Sequence, residues 1–167
     1  PATTRRLYSI YFDTPALDLW RRDTALRLRR SGRNWVQCVK FGGSAAAGLH
    51  QRGECEAQVA QPRLDFTRFD DPHLAGLFAD ARLRDALVPA FVTDFSRTTR
   101  LLTLADGSVV EVAFDQGEVV AGRRRDALCE VELELKQGDP AALFGLARRL
   151  VDEARSEEHT SELQSRL

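Results

Sequence analysis

The sequence has no long hydrophobic run, because no stretch approaches the roughly 18 consecutive apolar residues that a membrane-spanning helix needs. No signal peptide is visible at the N-terminus. Cysteine is also scarce, since Cys38, Cys55 and Cys129 are odd in number and lack the spacing of metal ligands. These absences predict a protein without a membrane span or disulfide framework, and they favour reduced thiols in the cytoplasm.

The chain also lacks a large net charge. Its 167 residues carry a formal net charge of −1, and only Lys40 and Lys136 stand beside 22 arginines. The cluster Arg123–Arg125 has no interleaved aromatic residues on which bases could stack, so it does not indicate nucleic-acid binding. The hydrophobic content of 43% is sufficient for one domain with its own core.

A phosphate-binding P-loop is missing as well. The glycine-rich segment 42–48 has no Gly-Lys-Ser/Thr ending, and it is more typical of a hairpin loop. Asp106-Gly107 indicates another turn. Hydrophobic periodicity, together with residues that interrupt secondary structure, predicts strands near 6–12, 24–31, 34–41, 50–60, 92–104, 108–115, 117–121 and 128–136. It predicts helices near 15–21, 72–87 and 140–155.

The most informative pattern present is the strict alternation of charged and apolar residues from Glu130 to Lys136. In a β-strand, this run would put Glu130, Glu132, Glu134 and Lys136 on one face. A row of like charges destabilises a sheet unless cations lie among the carboxylates. The alternation therefore predicts that this face binds cations.

Other predicted strands carry matching charged rows. The residues that share a face within these strands are Arg27 and Arg29; Cys38 and Lys40; Arg52, Glu54 and Glu56; and Glu111 and Asp115, with Arg97 adding a further cation. Their apolar neighbours would pack against helices. The favoured fold class is α+β, with a closed or nearly closed antiparallel β-barrel or tunnel of about eight strands, a charged lumen and flanking helices, and with the barrel incomplete at both ends. A flat α+β sheet is the alternative.

Charges of both signs on one confined surface call for a polyvalent ligand. Arginine and lysine suit an anion with several negative charges, and carboxylates suit hard divalent cations. Polyphosphate together with Mg²⁺ or Mn²⁺ meets both requirements.

Several motifs occur in the order typical of one family. They are Tyr11–Pro15, Ala25–Arg29, Trp35–Lys40, Gly48–Arg52, Thr93–Phe95 with Arg97, Asp115–Glu118 and Cys129–Lys136. This ordered set resembles the CYTH superfamily, the triphosphate tunnel metalloenzymes, and the resemblance extends from about residue 7 to about residue 153. The segments Gly48–Arg52 and Asp115–Glu118 are most similar to those of bacterial inorganic triphosphatases. Thiamine triphosphatases and class IV adenylate cyclases share the tunnel but carry these segments less well.

The resemblance implies an enzyme that hydrolyses tripolyphosphate to pyrophosphate and phosphate. It implies that phosphate oxygens are bound by Arg27, Arg29, Lys40, Arg52 and Arg97, of which Lys40 and Arg97 act in catalysis. It also implies that Mg²⁺ or Mn²⁺ is bound by Asp115, Glu130 and Glu132, with Glu134 beside them and Glu54, Glu56 and Glu111 as further candidates. One metal would clamp the phosphate chain and another would activate water, so no protein nucleophile is required.

The chain also departs from the family pattern at both ends. No Glu-x-Glu-x-Lys strand precedes Leu7, and the late basic strand expected after the helix near 140–155 is replaced by Arg155–Leu167. This last segment resembles translated adapter sequence. We therefore expect a truncated CYTH-like domain at 1–154 and a non-native tail at 155–167. The alternative functions are a non-catalytic tunnel that binds polyphosphate or nucleotides, and an activity like that of thiamine triphosphatases or class IV adenylate cyclases.

Overall fold

The fold is described by a computed structural model, which covers the backbone of residues 1–46 and 49–164 and the side chains of residues 1–42 and 53–153. Its strands are β1 (Thr3–Asp13), β2 (Thr24–Ser31), β3 (Asn34–Ala46), β4 (Leu49–Val59), β5 (Val88–Thr103), β6 (Val109–Ala121) and β7 (Arg124–Gln137). Its helices are α1 (Pro72–Leu77), α2 (Ala81–Ala86) and α3 (Ala141–Gln164), with 3-10 turns at Trp20–Arg22 and Phe66–Arg68.

The strands form one seven-stranded antiparallel sheet in the order β4-β3-β2-β1-β5-β6-β7. The α+β class is therefore confirmed, but the described residues do not form the predicted closed or nearly closed barrel of about eight strands. Within the described part of the chain, β4 and β7 are hydrogen-bonded on one side only and remain the two edges of an open sheet. The strand count differs because the strands predicted at 108–115 and 117–121 are one continuous strand, β6.

Gly117 lets β6 run without interruption past its neighbour. A Cβ atom at this position would collide with the backbone carbonyl of Asp94 and with Phe95 on β5. We expect Gly117→Ala to lower the free energy of unfolding by about 1–3 kcal/mol, because a rigid backbone must move to admit the methyl group. Urea unfolding of the purified chain measures this change.

Gly145 on α3 provides the matched control, since a Cβ added there meets no atom within 4 Å. Replacing a helical glycine by alanine usually stabilises a helix by up to about 1 kcal/mol. If Gly117→Ala were as well tolerated as Gly145→Ala, the close strand approach at Gly117 would be wrong.

The described chain divides into two compact units. The larger unit comprises Arg6–Ser96 and Gln116–Leu128, and the smaller unit comprises Pro1–Arg5, Arg97–Asp115 and the chain from Cys129 onward. Each unit has its own hydrophobic core, and each is described separately.

The core of the larger unit lies between one face of the sheet and the short helices. It consists of Leu19, Leu26, Val39, Phe69, Leu74, Phe78 and Leu83. The helix predicted near 72–87 is two helices, because the chain turns between them and a second cap begins α2. Asp71 caps α1 with its carboxylate, and Asp80 does the same for α2.

The core of the smaller unit is formed where α3 packs on β6. Leu143 and Leu146 contact Val110, whereas Leu150 and Val151 further along the helix are exposed. The predicted start of this helix is confirmed, since the Asp139 carboxylate accepts the backbone N–H of Ala141 at 2.8 Å.

The helix predicted near 15–21 is wrong. Instead, the buried carboxylate of Asp13 accepts the backbone N–H groups of Thr14, Leu19 and Trp20 at 2.7, 2.9 and 3.0 Å. Leu17 has a φ of 60°, which an α-helix does not allow. The connection from β1 to β2 is therefore a compact loop that is held by one aspartate.

Among the described helices, none has the length and apolar character required to cross a membrane.

Candidate functional site

A cationic row crosses β2 and β3 on the sheet face opposite the core of the larger unit. The antiparallel register places Arg27 beside both Tyr11 on β1 and Cys38 on β3, and it places Lys40 beside Glu54 on β4. Leu26 and Leu28, which alternate with the arginines, are fully buried on the other face. The alternation of β2 thus brings its arginines to one surface.

Arg27 is the most enclosed cation of this row, with 19% of its side chain exposed. Its terminal nitrogens reach the Tyr11 hydroxyl at 3.3 Å and a Glu54 carboxylate oxygen at 3.9 Å. Its Nε is buried and has no hydrogen-bond partner among the described residues. Because an unsatisfied buried donor costs free energy, this nitrogen favours binding of an anionic acceptor.

The tyrosine beside Arg27 is itself fixed by packing. The Tyr11 ring stacks on Phe91, with ring centroids 4.5 Å apart and planes inclined by 13°. This contact orients the hydroxyl that accepts the hydrogen bond from Arg27. Sequence reasoning left the role of Tyr11 undecided, because periodicity does not reveal such ring contacts.

The other cations of the row form looser ion pairs. Arg29 lies 2.9 Å from Glu56, and the Lys40 ammonium lies 3.7 Å from Glu54. Burial alone would raise the pKa of the Glu54 carboxyl, but the Cys38 thiol and the charges of Lys40 and Arg27 hold it below its ordinary value. Glu54 therefore stays ionised and keeps the row partly neutralised at neutral pH.

The thiol of Cys38 donates a hydrogen bond to Glu54 at 3.0 Å. Burial, followed by this contact with a carboxylate, raises the pKa of Cys38 to about 12. Cys38, Glu54 and Glu56 could each offer one atom to a metal ion, within 4.8 Å of one another. Their cationic neighbours and the protonated thiol favour anions at this place instead.

The protonated state of the Cys38 thiol leads to a prediction about its alkylation. Near about pH 8, iodoacetamide should alkylate the exposed Cys129 of the native protein and leave Cys38 unmodified, because the thiolate is the reactive form. Peptide mass spectrometry measures the modification of each residue. Denatured protein, in which all three cysteines should react, is the control. Rapid native alkylation of Cys38 would contradict its assigned environment.

A carboxylate cluster lies in the smaller unit. It consists of Asp115 on β6 with Glu130 and Glu132 on β7, and one oxygen from each lies within 4.8 Å of the others. Asp115 is only 1% exposed, whereas both glutamates are exposed. Three carboxylate oxygens at this spacing form a donor set that hard divalent cations prefer. We call these three residues the carboxylate cluster.

Arg97 on β5 contacts two members of the carboxylate cluster. Its Nε donates to one Asp115 oxygen at 2.7 Å and a terminal nitrogen donates to the other at 2.5 Å. The same terminal nitrogen lies 2.7 Å from Glu132. The hydrogen bond to Asp115 is the main cause that raises the pKa of Arg97, so the guanidinium remains charged.

The remaining acidic candidates of β6 and β7 have a different partner. Lys136 lies 2.8 Å from Glu134 and 3.5 Å from Glu111. The hydrogen bond that Lys136 donates to Glu134 raises the pKa of Lys136. The structure therefore pairs Glu134 with a lysine of its own strand.

The positions of the predicted site residues fall into two groups. Arg27, Arg29 and Lys40 share one surface of the larger unit with Glu54 and Glu56, whereas Arg97 belongs to the smaller unit with Asp115, Glu130 and Glu132. The side chain of Arg52 lies outside those that the structure describes. The role of Asp13 in holding a loop was missed, although its place directly after a strand was a signal for a capping residue.

Similarity to known proteins extends over most of the chain. A profile of the CYTH domain matches residues 1–165. The inorganic triphosphatase of Haemophilus influenzae is 33% identical over 145 residues, which are 86% of this chain and 40% of that protein. The chain thus spans less than half the length of this curated relative.

Two solved structures align with most of this chain. A candidate adenylate cyclase from Bacillus halodurans aligns with a TM-score of 0.51 at 15% identity, over 89% of this chain and 74% of that chain. A candidate adenylyl cyclase from Hippeastrum, reported to have a dominant triphosphatase activity, gives a TM-score of 0.49 at 20% identity, over 90% and 74% of the two chains. At such identity, the Bacillus structure supports the fold alone.

Proposed function

The chain belongs to the CYTH domain family, and we propose that it hydrolyses inorganic triphosphate to pyrophosphate and phosphate with the help of Mg²⁺ or Mn²⁺. Its 33% identity to an inorganic triphosphatase supports this choice of substrate. The observation that carries the proposal is the carboxylate cluster, because three oxygens converge within 4.8 Å at positions that the CYTH resemblance assigns to metal.

The residues present fit a hard divalent cation. Asp115, Glu130 and Glu132 offer only oxygen donors, and two of them are accessible from solvent. Bound Mg²⁺ or Mn²⁺ would neutralise charge on phosphate oxygens and lower the pKa of a water molecule. We give Glu134 only a secondary role, because its carboxylate already pairs with Lys136.

The cationic row of the larger unit is proposed to bind the phosphate chain. Arg27 supports this role best, since its buried Nε has no hydrogen-bond partner among the described side chains and its guanidinium donates a hydrogen bond to Tyr11. Arg29 and Lys40 add charge on the same surface, and we propose that Lys40 neutralises charge that develops during transfer. Arg52 is assigned to phosphate by the family resemblance alone.

The reaction requires no protein nucleophile. Phosphoryl transfer depends mainly on positioning and on neutralisation of charge, and a divalent cation held by the carboxylate cluster would supply part of that neutralisation. Water attacks the terminal phosphorus, the bridging oxygen departs with pyrophosphate, and the proton of the water is lost to solvent. Cys38 does not compete for this role, because its raised pKa of about 12 keeps the thiol protonated.

The test is phosphate release from tripolyphosphate as Mg²⁺ is titrated. We expect Glu132→Gln to raise the half-saturating Mg²⁺ concentration about tenfold with a smaller change in the KM for tripolyphosphate, since one charged ligand is lost. Glu153→Gln, on the exposed surface of α3, is the matched control. An unchanged Mg²⁺ requirement in Glu132→Gln would contradict the assigned metal site.

Parallel assays separate the other functions. Phosphate release from thiamine triphosphate tests thiamine triphosphatase activity, and formation of cyclic AMP and pyrophosphate from ATP tests adenylate cyclase activity. Tight binding of tripolyphosphate without turnover, measured by calorimetry, would instead indicate a non-catalytic binding module.

A further inference from the structure

Arg97 is a cationic residue that contacts the carboxylate cluster. Its guanidinium binds both oxygens of Asp115, at 2.7 and 2.5 Å, and one oxygen of Glu132, at 2.7 Å. Its side chain is 21% exposed, whereas that of Asp115 is 2% exposed. This guanidinium therefore neutralises two of the three carboxylates that are proposed to bind metal.

We propose that Arg97 is an exchangeable counter-cation, which a divalent ion must displace from Asp115 and Glu132. Loading of the cluster then releases the guanidinium to bind an anion. This inference rests on the proposed function, because it takes the carboxylate cluster as a metal site. In this proposal, the metal binds before Arg97 contacts phosphate. Arg97 therefore pairs first with carboxylates and then with phosphate.

The physical reason is competition for the same oxygen atoms. Nε and a terminal nitrogen bind the two Asp115 oxygens in the bidentate manner that is typical of arginine and carboxylates. Only one oxygen atom would separate a divalent ion on the same oxygens from the positive guanidinium. The two cations would therefore repel each other. Since Asp115 is buried, water screens this repulsion poorly.

The opposite possibility is that Arg97 is a fixed support that orients Asp115 for the metal. The two roles predict opposite changes in metal affinity when the guanidinium is removed. A competitor lowers the apparent affinity and its loss tightens binding, whereas a support raises the affinity and its loss weakens binding.

The experiment is calorimetric titration of the whole chain with Mn²⁺ in the absence of any phosphate. We expect Arg97→Gln to bind Mn²⁺ at least about tenfold more tightly than the unmodified chain. Arg6→Gln is the matched control, because Arg6 forms a bidentate pair with Asp94 at 2.8 and 2.7 Å outside the carboxylate cluster. Its Mn²⁺ affinity should not change.

Two further variants keep the test decisive. Arg97→Lys retains the charge without the bidentate geometry, so it should bind Mn²⁺ more tightly than the unmodified chain, and this comparison remains available even if Arg97→Gln fails to fold. Adding Asp115→Asn to either variant should abolish the gain and thereby locate the bound ion at the cluster.

The outcomes distinguish failure of this inference from failure of the proposed function. Equal or weaker Mn²⁺ binding in Arg97→Gln and Arg97→Lys would overturn the exchange and leave the metal site intact. Absence of Mn²⁺ binding in all of these proteins would overturn the metal site and the exchange together. Tighter binding that depends on Asp115 would support both.

Discussion

Asp115→Asn should reduce the rate of Mg²⁺-dependent phosphate release from tripolyphosphate by about 1000-fold, since metal ions supply several kcal/mol of charge stabilisation in the transition state. Asp115 is the buried member of the carboxylate cluster, and asparagine preserves its shape while removing its charge. Steady-state kinetics at saturating Mg²⁺ measure the change in kcat.

Asp94→Asn is the matched control for this variant. Asp94 also accepts two hydrogen bonds from one arginine, Arg6, but it lies outside the carboxylate cluster. Its substitution should change kcat by less than about twofold relative to the unmodified chain. The Arg6–Asp94 pair is exposed, and exposed ion pairs contribute little to stability. Urea unfolding of both variants separates lost activity from lost stability. If Asp115→Asn retained full activity at low Mg²⁺, Asp115 would not be a metal ligand.

Arg27→Ala should raise the KM for tripolyphosphate by about 10- to 100-fold, because a hydrogen bond from a charged donor contributes about 1.5–3 kcal/mol. Arg27 combines enclosure, a fixed orientation from Tyr11 and an Nε that has no hydrogen-bond partner in the described part of the chain, and its raised pKa keeps it fully charged. The KM should change more than the Mg²⁺ requirement, which is the reverse of the pattern expected for Glu132→Gln.

The control for Arg27→Ala comes from the same strand. Arg30 has the same side chain but lies at an odd spacing from Arg27, so strand alternation places it on the other face, where it is exposed. Arg30→Ala should leave the KM unchanged. An equal rise in KM for Arg30→Ala and Arg27→Ala would indicate a general electrostatic effect, and an unchanged KM in both would exclude Arg27 from the substrate site.

Strand alternation predicted the faces of the sheet well. Leu26 and Leu28 are buried and Arg27 lies on the opposite face. Because side chains alternate with a period of two residues, packing one face on a core determines which residues lie on the other face. Closure of the sheet could not be predicted in the same way. It depends on whether distant edge strands pair, and no local pattern in β4 or β7 specifies that partner.

The error at residues 15–21 has a local cause. A helix was predicted there, but the Asp13 carboxylate instead accepts the backbone N–H groups of Leu19 and Trp20. Such competition between a side chain and helical hydrogen bonds depends on geometry that hydrophobic periodicity does not contain.

The candidate site was predicted in part. Alternation on β7 placed Glu130 and Glu132 on one face, and the structure brings Asp115 to them. The contact of Arg97 with Asp115 and Glu132 was not predicted. Strand alternation identifies the face of the sheet on which a side chain lies, but not the residue of a neighbouring strand that it contacts.

The most direct test of the account is ³¹P NMR spectroscopy of tripolyphosphate incubated with this chain and Mg²⁺. The account predicts that the tripolyphosphate signals are replaced by equal amounts of pyrophosphate and phosphate, and that EDTA or Asp115→Asn prevents this change. Tripolyphosphate that binds to the chain and remains intact in the presence of Mg²⁺ would contradict the proposed hydrolysis.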